Sequence, residues 1–171
     1  MANLIAIVFG ALSVLVLGAA WQWFQVDTLA VNVPLVVACW VALRRDAASA
    51  YLVAYVLAMF TFTVLPGPRG ASLLALVFVV WLTTVTRTRA PVQQPLRIAA
   101  WVVAAALLCD LAVAVSLWAF GGGAGFFDLF WRIGPASALV TGLYALFAFW
   151  ILARLEPLLQ QRHDPGGLLR R

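Results

Sequence analysis

The run 98–120 is apolar from end to end apart from one carboxylate, Asp110, and one hydroxyl, Ser116. About 20 such residues suffice to cross the hydrocarbon core of a bilayer. Inside that core the backbone must satisfy its own hydrogen bonds, so the segment is expected to be a helix. Five more apolar blocks lie at about 3–20, 28–43, 47–65, 70–86 and 134–155. The second and fourth are short, and the second contains Asn32 and Pro34. The breaks carry turn-forming or charged residues: "RRD" at 44–46, "PGPRG" at 66–70, "RTRAPVQQPLR" at 87–97 and "GGGAG" at 121–125. With 65% hydrophobic and 10% charged residues, the chain departs from soluble domains, which are about half apolar and a quarter charged. The expected fold is therefore an all-α integral membrane protein. A compact bundle of six transmembrane helices fills 1–160, and 161–171 is a basic cytoplasmic tail.

The basic residues fix an expected orientation. All eleven are arginine. With both termini in the cytoplasm, the inner segments hold Arg44, Arg45, Arg87, Arg89, Arg97, Arg154, Arg162, Arg170 and Arg171, and the outer ones only Arg69 and Arg132. Nine against two follows the positive-inside rule, and five crossings would scramble it. Trp21, Trp23, Trp118 and Trp131 fall at the expected outer ends, with Trp40, Trp81, Trp101 and Trp150 toward the inner ends. Such placement suits indoles at the membrane interface. "FFDLFWRI", 126–133, is expected to be an outer interfacial turn or short helix, with an extension of the sixth span as the alternative. The first block lacks a basic residue before its apolar run and is expected to be a retained span rather than a signal peptide.

Helices in lipid pack through small residues. Ala50, Ala54 and Ala58 form one stripe, and Gly134, Ala138 and Gly142 form another. Each is either a packing face within the bundle or a docking face for a partner helix. Cys39 and Cys109 lie within apolar blocks and are expected to pack as small side chains. Asp110 lies about 20 Å along the axis from Arg97, near the midplane, where an ionised side chain is costly. Candidate hydrogen-bond partners are Asn32, Thr61, Thr63, Thr83, Thr84 and Ser116. Three roles stay open for Asp110: a hydrogen-bond hub, a contact with a partner subunit, or a site for a solute or proton.

Catalytic patterns are missing from the sequence. The one histidine, His163, is in the tail, and there is no lysine for a phosphate-binding loop. No cluster has metal-ligand spacing, and no nucleophile–base set lies at membrane depth. No cofactor and no enzymatic activity are expected. The tail is topogenic, or it touches anionic lipid. The arginines lie between apolar blocks, which argues against nucleic acid.

The layout resembles the rod shape-determining protein MreD family. The stretches that carry the resemblance are "VNVPLVVACWVALRRD", "YLVAYVLAMFTFTVLPGPRGASLLALVFVVWL" and "ASALVTGLYALFAFWILARLEPLL", within 28–160. Pro34, Arg44, Arg45, Gly67, Pro68 and Gly70 fit the family's proline early in the second span, basic turn and Gly/Pro turn. At 56–61, where many members carry a Gly-Leu-Leu-x-Asp-like motif, this chain has "VLAMFT". The resemblance implies a non-enzymatic scaffold of the bacterial inner membrane. Such a scaffold binds the MreC transmembrane helix and acts with MreB and the wall synthases in lateral peptidoglycan synthesis and cell shape. The alternative is a substrate-binding S component of an energy-coupling-factor vitamin transporter, whose six-helix fold the bundle is also expected to resemble. Its pocket would draw on Trp21, Trp23, Asn32, Asp128 and Arg132, with Asp110 deeper.

Overall fold

The computed structural model describes residues 2–24, 31–64, 69–89, 95–121 and 125–160. These form six helices and no strand: α1 (Ala2–Phe24), α2 (Val33–Arg44), α3 (Ala47–Val64), α4 (Arg69–Arg89), α5 (Pro95–Gly121) and α6 (Gly125–Gln160). Five of them, all except α2, are long and apolar enough to cross a membrane. The twelve residues of α2 extend only about 18 Å, against a hydrocarbon core of about 30 Å. The sequence predicts a sixth, short span at 28–43. Instead, the helix begins at Val33.

Two residues explain that late start. The Asn32 side chain accepts a hydrogen bond from the Leu35 N–H at 3.2 Å and caps the helix. Pro34, in the first turn, has a fixed φ and no N–H, which suits a helix start and opposes continuation backwards. Ten of the twelve residues of α2, Val33 to Ala42, are buried. The helix is apolar all round, and such a helix belongs in an interior. It packs against each of the other five.

The helices alternate in direction. Asn3 Nδ2 near the start of α1 donates to Ser49 Oγ near the start of α3 at 3.0 Å. A two-residue turn joins the end of α2 to α3. Asp46 caps α3 there: its carboxylate accepts from the Ser49 hydroxyl at 2.8 Å and from the Ser49 N–H at 3.0 Å. Those hydrogen bonds, the hydroxyl's foremost, hold the Asp46 carboxyl below the ordinary carboxylate range. At the end of α4, the Arg87 guanidinium donates to the Ala42 carbonyl at 3.2 Å and to the Arg45 carbonyl. It thereby meets carbonyls that the end of α2 leaves unbonded. One end of the bundle therefore gathers the starts of α1 and α3 and the ends of α2 and α4, with Arg44, Arg45 and Arg87 among them.

α5 and α6 form an antiparallel pair with the most extensive packing in the molecule. A Cβ added at Gly142 would lie 2.3 Å from Val103 Cγ2, so the two backbones approach where α6 has no side chain. Of the two readings of 126–133, the structure shows the extension of the sixth span: α6 runs unbroken from Gly125. No Pro or Gly breaks it until Gly134–Pro135, and the helix continues through that pair. Its 36 residues extend about 54 Å, more than a bilayer core requires. Exposed leucines, valines and aromatics, such as Leu4, Leu74, Trp131 and Leu143, cover the outside. Such a surface matches lipid chains rather than water.

Candidate functional site

Both small-residue stripes lie inside the bundle. Ala50, Ala54 and Ala58 are buried on α3, and Gly134, Ala138 and Gly142 on α6. Of the two alternatives raised by their spacing, the structure places them at packing faces within the chain. Along α6 the buried face continues through Thr141, Ala145, Ala148 and Leu152, a spacing that keeps one side of a helix turned inward.

Two polar layers cross this interior. In the first, about 18 Å from the basic end by the length of α2, the start of α2 meets α5 and α6. The Asn32 N–H donates to Thr141 Oγ1 at 3.2 Å, and Asn32 Nδ2 donates to Cys109 Sγ at 3.8 Å. Asn32 thus spends its carbonyl oxygen on the Leu35 N–H and its amide on Cys109. The second layer lies nearer the basic end. Trp101 Nε1 donates to Thr83 Oγ1 at 3.2 Å, and Cys39 Sγ lies 3.8 Å from the same oxygen. The Thr83 hydroxyl in turn donates to the Val79 carbonyl at 2.8 Å. Thr83 and Thr141 are fully buried, so each needs the partners it has.

Thr141 and Trp101 are the polar residues that the sequence reading misses. Thr141 was legible in principle, as the polar residue on the buried small-residue face of α6. Trp101, expected near the inner interface, turns inward to Thr83. Trp40 likewise is buried rather than interfacial, with its indole N–H unbonded and the Arg44 guanidinium 5.8 Å above the ring. Packing overrides the interface preference: Trp101 meets Thr83 of α4, and Trp40 belongs to α2, the helix that the other five surround. Trp81, Trp118, Trp131 and Trp150 are exposed, as interfacial indoles should be. The Trp21 and Trp23 side chains lie outside the described residues. Cys39 and Cys109 are free and buried, as expected of small packing residues, and each also has a polar neighbour.

Asp110 follows Cys109 on α5 but points elsewhere, since successive helical residues are rotated by about 100°. Seven residues after Val103, it falls on nearly the same stripe, the one facing α6. It is half-buried. None of the six expected partners donates to it. Thr61, Thr63, Thr84 and Ser116 each return their hydroxyl to a carbonyl of their own helix. Thr83 and Asn32 are engaged as described above. Asp110 therefore forms no hydrogen bond with another side chain among the described residues.

The remaining candidates are scattered. Asp128 and Arg132 are exposed on the first turns of α6. Arg97 is exposed at the start of α5, Arg154 lies 4.5 Å over the Trp150 ring, and the Arg89 side chain and the tail 161–171 lie outside the described residues. No three His, Cys, Asp or Glu side chains come together among the described residues. Comparison with protein-family models, with curated proteins and with solved structures finds no match to this chain.

Proposed function

We propose that the chain is a non-enzymatic scaffold of the bacterial inner membrane, both termini cytoplasmic, acting in the rod-shape complex as MreD proteins do. It binds the MreC transmembrane helix, faces MreB and the wall synthases, and so helps direct lateral peptidoglycan synthesis. The partner identities rest on the resemblance in layout across 28–160. The observation that carries the scaffold reading is that Asn32, Cys39, Thr83, Trp101, Cys109 and Thr141 have polar partners within the chain. A solute-binding bundle keeps a few interior polar groups free and convergent for its ligand. Here those groups hold α2 in place, and the broad apolar exterior is left for lipid and other helices.

Purification from native membranes in mild detergent tests the reading. A stoichiometric bitopic protein with a long outer domain is the expected companion, and loss of the chain from a rod-shaped host should round the cells. A tightly bound vitamin, or a pair of ATPase subunits in place of the bitopic partner, would overturn it.

A further inference from the structure

Asp110 lies at the seam between α5 and α6, and a second group there shares its condition. Gly142 packs against Ala99 and Val103. Counting back along the antiparallel α6 brings 131–135 to the level of Asp110. Pro135 has no N–H, so the Trp131 carbonyl loses its donor one turn on. A carboxylate and a main-chain carbonyl thus share one level of the seam, both acceptors. The hydroxyls of Thr61, Thr63, Thr84 and Ser116 are each bonded to their own helix and not to Asp110. The lipid side of the seam is apolar and open: Leu111 and Leu139 are exposed.

Acceptors at membrane depth are satisfied by donors, and an ionisable side chain there usually pairs with one of opposite charge. We propose that the α5–α6 seam is a docking site for a transmembrane helix of another polypeptide, which places an arginine or lysine against Asp110. Charge complementarity selects that occupant: a second copy of this chain would bring carboxylate to carboxylate. The inference rests on the scaffold reading and gives its partner a position. That position is the seam, and not the small-residue stripe of α3, which the bundle itself covers.

Photo-cross-linking in intact cells tests it, with benzoylphenylalanine placed singly at Leu111 and Leu139, and at Tyr55 on α3 as a control. The expected product forms at the first two positions and not the third. It contains a protein whose sequenced transmembrane segment carries Arg or Lys. Asp110→Leu lowers the yield about three- to tenfold, in line with the modest worth of polar contacts between membrane helices, while Asp110→Glu retains it. Unfolding in detergent checks each variant. If Asp110→Leu does not fold, Asp110→Asn carries the comparison. Yields that ignore Asp110, products confined to Tyr55, or a product that is a second copy of this chain would overturn the site. A partner that still copurifies in those cases leaves the scaffold reading standing. Absence of any partner, cross-linked or copurified, removes both.

Discussion

Gly142 and Asp46 show how much a single position decides here. At Gly142 any side chain would meet Val103, and valine has little χ1 freedom with which to move aside. Gly142→Leu should destabilise the protein by about 1–3 kcal/mol, the usual cost of overpacking. The measurement is thermal unfolding in detergent followed by circular dichroism. Gly134→Ala is the milder change, since the added carbon would meet only the Phe130 ring at 3.1 Å. For Asp46, hydrogen bonds from Ser49 lower the pKa in the folded state. A depressed carboxyl contributes stability at neutral pH that fades as pH falls through the ordinary carboxylate range toward the lowered value. Asp46→Asn should flatten that part of the pH–stability curve, read from unfolding midpoints between about pH 6 and pH 3. Asp110 behaves differently. Since it has no hydrogen-bonding side-chain partner among the described residues, Asp110→Leu should leave the isolated chain at least as stable as wild type. A clear fall in unfolding temperature would restore the hydrogen-bond hub that its position in the sequence suggested.

Among the elements, α2 is the one whose ends are held by side chains from elsewhere. Asn32 caps its start, Thr141 of α6 accepts the Asn32 N–H, and Arg87 of α4 donates to carbonyls at its end. Asn32→Ala should cost about 1 kcal/mol, the usual worth of such a cap. Asn32→Ser, which keeps a capping oxygen, should recover most of it. Trp101→Phe should cost less than Asn32→Ala, because Thr83 keeps its bond to the Val79 carbonyl. The same detergent unfolding assay ranks the three, and an inverted order would mean that the lower polar layer, not the helix start, anchors α2. A hydropathy reading treats 28–43 as one more crossing, because it sees apolar residues and not the cap that delays the helix.

For the molecule as a whole, alternation of the helices brings Arg44, Arg45 and Arg87 to one end, with Arg97 at the start of α5 near them. In the orientation we propose, which follows the positive-inside rule, that end faces the cytoplasm. A reporter active only in the cytosol should work when fused after residue 160, and one active only outside the cell should not. The reverse pattern would invalidate the orientation and, with it, the scaffold reading that places the basic loops on the cytoskeletal side. The exterior carries the other consequence of scale. Five apolar helices of spanning length around a sixth leave no face of α2 for a partner, so any helix that binds must do so on the outer ring.

The helices themselves were legible in the sequence, because apolar blocks of bilayer length leave the backbone no alternative to helical hydrogen bonding. So were the Gly/Pro and Arg-rich breaks between them, and the grouping of the small residues on single helix faces, which follows from helical spacing alone. What the sequence leaves open depends on which helix meets which. Two of the tryptophans turn inward, the stripe of α3 is covered from within, and Asn32 finds Thr141, 109 residues away. Whether Asp110 has a donor also rests on orientations set by packing, and those become fixed only when all six helices share one interior.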